Sequence, residues 1–157
     1  MADELEQLED WIGGLIQQMQ PAERRKLARA VSLDLRRDNV DRIGAQKNPD
    51  GSSYTPRKRA PLRSKSGRMK RRADAMFQKL RKPAYLTAAH DESEASIGFP
   101  NATVSRVARV HQDGLRDRVA RTADAPIVAY PKRVLVGFSP GYRERLADLV
   151  LAHLNPG

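Results

Sequence analysis

Apolar residues recur at spacings of three and four along the first forty positions, and this period predicts two helices rather than strands. In residues 2–19 one stripe collects Leu5, Leu8, Ile12, Leu15, Ile16 and Met19. Five acids, Asp3, Glu4, Glu6, Glu9 and Asp10, fall toward the positive end of that helix dipole, where negative charge is favoured. Gly13-Gly14 weakens its middle. Pro21 suits the first turn of a second helix reaching about residue 39 or slightly beyond, with Leu27, Ala30, Val31 and Leu35 on its apolar side, joined by Ala28. Joined around Gln20, the two helices predict an αα-hairpin.

The helical period stops at Gly44. Asn48-Pro-Asp-Gly-Ser-Ser53 is dense in turn formers, and Pro56 and Pro61 favour an extended chain. Residues 66–80 return to a helical pattern through Met69, Ala73, Met76, Phe77 and Leu80, and Pro83 ends it. Residues 84–89 and 94–99 have the short mixed pattern of strands and predict a β-hairpin. Residues 101–110 read as a short helix capped by Asn101, although their β-branched content also suits a strand. A polar excursion follows at 114–125, and residues 133–138 make a third strand candidate. Ser139-Pro140 resembles a cap followed by a first-turn proline, opening a last helix to about His153 that buries Leu146, Leu149, Val150 and Leu154. The expected fold is α+β in a single domain over 1–157: a helical hairpin over 1–43, an extended basic loop over 44–65, and an α+β core over 66–157. That core holds a central helix, a small, mainly antiparallel sheet and a C-terminal helix.

Composition changes the picture mainly through charge. Between Asn48 and Lys82 the chain carries 12 of its 29 Lys and Arg against only two acids, Asp50 and Asp74, which accounts for the whole net charge of +10. Such a concentrated cationic stretch reads as a solvated face, as a contact for nucleic-acid phosphate, or as a dock for an acidic partner or neighbouring subunit. Arg57, Lys58, Arg59, Arg63, Lys65, Arg68, Lys70, Arg71 and Arg72 are the candidate contact residues. With only Tyr54 and Phe77 as aromatics there, base-stacking platforms are poorly supplied. Any phosphate contact is expected to be sequence-independent and strongly salt-dependent. Hydrophobic residues make up 39% of the chain and aromatics 5%, implying a small core completed by assembly with other chains.

Candidate chemistry is sparse. There is no cysteine, so neither a disulfide framework nor a thiolate site is expected, and an origin in a reducing cytoplasm is natural. His90, His111 and His153 are too scattered for a recognisable zinc site. Asp91, Glu92 and Glu94 cluster at the predicted hairpin tip, where exposed turn acids are the ordinary reading. His111 would need a nucleophile or an orienting carboxylate to act as a base, and it reads instead as a hydrogen-bonded structural or interface histidine. Gly114 reads as a helix or turn terminator at positive φ. No phosphate-cradling glycine loop or nucleophile elbow is present, so no cofactor, metal or catalytic set is expected. The acidic N-terminus is unlike a secretory signal, and no apolar run approaches the roughly 20 residues that span a bilayer. A soluble protein without membrane contact is the expectation.

The run Arg106-Val-Ala-Arg-Val-His-Gln-Asp-Gly-Leu-Arg-Asp-Arg-Val119, then Tyr130-Pro-Lys-Arg-Val-Leu-Val-Gly-Phe-Ser139 and a terminal helix, resembles the phage virion morphogenesis family. So do Gln46-Lys-Asn-Pro-Asp-Gly-Ser-Ser-Tyr54 with Pro56-Arg-Lys58, and Met76-Phe77 with Leu80-Arg81 before Tyr85-Leu86. The sequence departs at Asp113, where the family pattern usually carries an aromatic. The resemblance implies a non-enzymatic structural protein that acts late in tail assembly. It would cap the finished tail and join it to a DNA-filled head, as a homo-oligomeric ring, often of six subunits, in the virion neck. It further implies contacts with other neck and tail proteins, packaged DNA in the lumen, and assembly in the host cytoplasm. His111, Gln112, Gly114, Pro131, Arg133 and Phe138 would lie in the core or in subunit contacts. The rival from the residues alone is a sequence-independent nucleic-acid-binding protein that uses the 48–82 window.

Overall fold

The computed structural model describes residues 2–58 and 75–155. The chain forms helix α1 (Ala2–Gln18), helix α2 (Pro21–Gly44), a 3-10 turn (Gln78–Arg81), strands β1 (Thr87–His90) and β2 (Ala95–Gly98), helix α3 (Ala102–Asp113), strands β3 (Arg116–Arg118) and β4 (Ile127–Ala129), and helix α4 (Tyr142–Leu154). This is an α+β protein with an N-terminal helical hairpin and a C-terminal helix, as the apolar periodicity predicts. It divides into two compact units, one of Met1–Arg36, Ala88–Ile97 and Pro140–Gly157, the other of Arg37–Thr87 and Gly98–Ser139.

In the first unit the core residues are Leu27 and Leu35 of α2 with Tyr142, Ala147 and Val150 of α4. Two side-chain contacts set the direction of α4: Arg145 meets Asp34 at 3.1 Å and His153 meets Glu23 at 3.6 Å, so α4 runs antiparallel to the first half of α2. Arg143 reaches Glu9 of α1 at 3.6 Å. These pairs are partly solvated and fix orientation more than they stabilise. The expected Ser139 cap is corrected. The residue preceding α4 is Gly141 at φ 78°, while the Ser139 hydroxyl donates to Asp38 at 2.8 Å in the second unit. Leu146, Leu149 and Leu154 are half-buried, and Tyr142 and Ala147 take the deep positions beside Val150.

Within the second unit, α2 runs five residues past the predicted end because its stripe continues in polar residues. Asn39, Arg42 and Ile43 are all buried, with Asn39 and Ile43 at 0% exposure. The Asn48 to Ser53 turn forms as predicted: Lys47 bridges Ser53, the Asn48 amide donates to the Ser52 carbonyl at 2.8 Å, and Gly51 takes φ 86°. The helix predicted over 66–80 lies outside the described residues up to position 74. From 75 to 77 the chain is not helical, with Phe77 at φ 64°, and only one 3-10 turn follows. Asn101 caps α3 as predicted, its Oδ1 accepting from the Thr103 and Val104 amides at 3.0 and 3.1 Å, and Gly114 ends that helix at φ 66°.

The sheet differs from expectation in three ways. The predicted hairpin forms, but residues 84–86 are a turn, since the Tyr85 and Leu86 amides both donate to the Lys82 carbonyl. At its tip Asp91 Oδ1 accepts from the Ser93 amide and hydroxyl and the Glu94 amide at 2.7 to 2.8 Å, so this acid closes a turn. The supposed polar excursion over 114–125 supplies β3, which pairs antiparallel with β4 just beyond it, with Arg116 opposite Ala129, Asp117 opposite Val128 and Arg118 opposite Ile127. Arg106 of α3 braces it through Asp117, at 2.6 and 2.9 Å. The expected third strand at 133–138 belongs to no ladder.

Candidate assembly site

Residues 133–137 join no strand and bend at Val136, and side chains from three other segments satisfy their backbone. Buried main-chain groups must find partners somewhere. Here the Val134 amide donates to Asn48 Oδ1 at 2.9 Å, and the Leu135 and Val136 amides donate to Gln112 Oε1 at 2.8 and 3.1 Å. The Gly137 amide donates to Asn39 Oδ1 at 2.9 Å. On the acceptor side, Arg42 donates to the Val134 and Leu135 carbonyls at 2.8 and 2.9 Å, and Gln112 Nε2 donates to the Val136 carbonyl at 2.9 Å. Tyr54 Oη adds a bond to the Val134 carbonyl at 3.1 Å. The segment has a strand-like composition and buries Leu135 at 0% exposure, yet amide and guanidinium groups take the place of a neighbouring strand.

Its first residue, Arg133, ties this framework to the start of the basic window. The guanidinium is 3% exposed and donates to the carbonyls of Thr55 at 2.7 Å and Pro56 at 3.2 Å, and it meets His111 Nδ1 at 3.1 Å. Arginine only donates, so Nδ1 accepts and the ring proton sits on Nε2. Burial, followed by the charges of Arg133 and Arg57, pushes the His111 pKa down to about 4, so the imidazole is neutral at physiological pH. Burial and the Arg57 charge also lower the pKa of Arg133. His111 lies edge-on between Phe77 and Tyr130, with ring centroids at 4.8 and 5.1 Å, and Phe77 meets Tyr54 at 5.8 Å.

The same cluster secures the far end of the window. Gln46 accepts from the Met76 amide at 2.8 Å and donates to its carbonyl at 2.9 Å, and Met76 is buried. The chain between Tyr54 and Phe77 therefore departs from and returns to one aromatic base. Arg57 and Lys58 are exposed where it departs. Arg59, Arg63, Lys65, Arg68, Lys70, Arg71 and Arg72 lie outside the described residues.

Of the other residues singled out in the sequence, Gln112 and Arg133 are central, Gly114 shapes the turn leading to β3, and Pro131 is half-buried between Tyr130 and the clamped segment. Phe138 is 66% exposed and outside the packed core. Asp113 is exposed and pairs loosely with Arg109 at 3.7 Å. Sequence reasoning missed Asn39, Arg42, Gln46 and Asn48. A signal existed for the first two: they continue the Leu27, Val31, Leu35 spacing, and a polar residue on a core stripe marks a backbone to be satisfied. Among the described residues no group of three His, Asp or Glu is placed to hold a metal ion, and no helix is long and apolar enough to cross a membrane.

These features define a small α+β protein built around a polar-clamped segment, with a basic stretch anchored at both ends. The sequence pattern of the phage virion morphogenesis family matches residues 3–155, and the chain belongs to that family. It is 35% identical over 152 residues to the tail completion protein S of Escherichia phage P2, an alignment covering 97% of this chain and 98% of that protein. No solved structure gives a significant match to the chain.

Proposed function

We propose that this chain is a structural component of a phage virion that completes the tail and connects it to the DNA-filled head. The observation that carries this reading is the 35% identity to a tail completion protein across 97% of the chain, which leaves neither protein with a large unmatched part. The chain acts in this reading as a ring at the neck end of the tail, with six subunits as the working stoichiometry, and it touches other neck and tail proteins. His111, Gln112, Gly114, Pro131 and Arg133 supply a rigid framework, and exposed Phe138 is available to a neighbouring subunit. Arg57, Lys58, Arg59, Arg63, Lys65, Arg68, Lys70, Arg71 and Arg72 face packaged DNA or an acidic neighbour. No catalytic step is part of this role.

The basic window also suits the rival reading of a sequence-independent nucleic-acid binder, because Arg57 and Lys58 are solvent-exposed beside a fixed base. One experiment separates the two. Replacing Arg57, Lys58, Arg59, Arg63 and Lys65 by Gln in the phage is expected to yield finished tails that fail to attach to heads, counted by electron microscopy. Normal virions from that variant, together with loss of a previously tight and steeply salt-dependent DNA affinity, would favour the rival.

A further inference from the structure

The outer side of α3 in the second unit bears an open cavity of about 420 Å³ lined by Ala102, Ser105, Arg106, Arg109, Val110 and Leu115. Its floor is apolar, with Leu115 still 40% exposed, and two guanidinium groups flank it. Arg106 is already held by Asp117 at 2.6 Å, but Arg109 is 78% exposed and, among the described residues, meets a carboxylate only loosely, Asp113 at 3.7 Å. A concave apolar surface edged with cations fits an aromatic group carried on an acidic segment. The chain itself has such a segment. Its single tryptophan, Trp11, is 51% exposed on α1, and a Cβ placed on neighbouring Gly14 would meet nothing within 4 Å, so the helix surface beside the indole is open. Residues 2–18 carry five acids and no Lys or Arg, and Glu6 and Asp10 are exposed.

We propose that Trp11 of one copy seats in the α3 groove of the next, with the acids of α1 against Arg109. Charge decides the pairing: α1 against α1 would oppose five acids to five, whereas α1 against the groove joins opposite signs. The two patches are different surfaces of one chain, so the contact is heterologous, and repeated head to tail it closes into a ring or extends as a filament. A buried indole is the kind of anchor that dominates interface energetics. The inference rests on the ring reading above and supplies its contact.

The single tryptophan makes the test direct. On dilution of the purified chain, Trp11 emission is expected to shift to the red in step with dissociation measured by sedimentation. Trp11→Ala should weaken self-association at least about 30-fold. Ser105→Phe, which fills the groove and leaves Trp11 in place, should give red-shifted emission at every concentration. Arg109→Glu and Asp10→Arg should each fail to associate alone and recover when mixed, because the charges then match at both contacts. Self-association with emission unchanged by dilution or by Ser105→Phe overturns the inference and leaves the ring standing on another contact. A chain that stays monomeric yet restores tail completion to a phage lacking it overturns the inference and the ring together, while the completion role survives. Emission that shifts only when another virion protein is added assigns Trp11 to a contact with that protein and likewise overturns the proposal.

Discussion

At the scale of single residues, the contact between His111 and Arg133 is the most sensitive point of the molecule. Neutral His111 accepts from a buried guanidinium, and its pKa near 4 lies below the ordinary value of 6.5. The unfolded chain therefore binds the proton more readily, so stability is full above pH 6.5 and declines as pH falls toward 4. We expect a slope approaching one proton in urea midpoints across that window, absent in His111→Gln. The carboxylates whose pKa values are lowered, Asp50, Asp91, Asp117 and Glu23, act below their ordinary values of 3.8 to 4.5 and leave most of the His111 window undisturbed. Because the Arg57 charge helps depress His111, Arg57→Gln should raise the His111 pKa above 4, toward 6.5, in an NMR titration. Arg133→Met removes the donors to the Thr55 and Pro56 carbonyls and is expected to cost about 2–4 kcal/mol of unfolding free energy. His111 and Arg133 were visible in the sequence as interesting positions. Their pairing was not, because 22 residues separate them and nothing local couples the two.

Among the elements, α3 was legible at its two ends, although its β-branched content also suited a strand, and the clamped segment was the least legible. A helix boundary is a local matter: Asn101 offers an acceptor to the first exposed amides, and Gly114 takes a left-handed turn that side chains resist. Asn101→Ala should cost about 1 kcal/mol in thermal or urea unfolding. Gly114→Ala should cost about 1–2 kcal/mol from backbone strain alone, since φ is 66°, and more because the new Cβ would approach Lys132 to 3.1 Å. Residues 133–138 read as a strand for a sound reason, their apolar β-branched composition, yet composition reports extension and burial rather than the identity of the hydrogen-bonding partner. Gln112 supplies that partner through three bonds. Gln112→Ala is expected to cost about 2–4 kcal/mol, whereas Gln112→Glu, which still accepts from the Leu135 and Val136 amides but loses the donor to the Val136 carbonyl, should fall between it and the native chain. Equal losses in the two variants by chemical denaturation would show that the acceptor contacts contribute nothing. The β3–β4 pair was missed because three-residue strands of sequence Arg-Asp-Arg and Ile-Val-Ala are too short to show a period, and their pairing is stated only by the register of one against the other.

For the whole molecule, the charge of +10 sits in a stretch that leaves and re-enters a single aromatic base, so its surface residues are expected to matter for partners more than for folding. Arg57→Gln and Lys58→Gln should each leave unfolding free energy within about 0.5 kcal/mol of the native chain, measured at neutral pH, while weakening attachment to the polyanionic or acidic partner. The sequence by itself determined the α+β class, the helical hairpin, the capped α3, the tight turn at Asn48 to Ser53, the location of the charge and the family. Each of these is written in near neighbours or in residue order, through periodicity, capping, turn chemistry or motif spacing. Tertiary structure alone decided that α2 buries Asn39 and Arg42, that Gln46 and Gln112 hold distant backbone, that Arg133 reads the carbonyls just before Arg57, and that a cation-flanked groove opens beside Leu115. Those outcomes depend on which polar groups meet across 23 to 98 positions of chain, and a buried amide or carbonyl is satisfied by whatever side chain the fold brings to it.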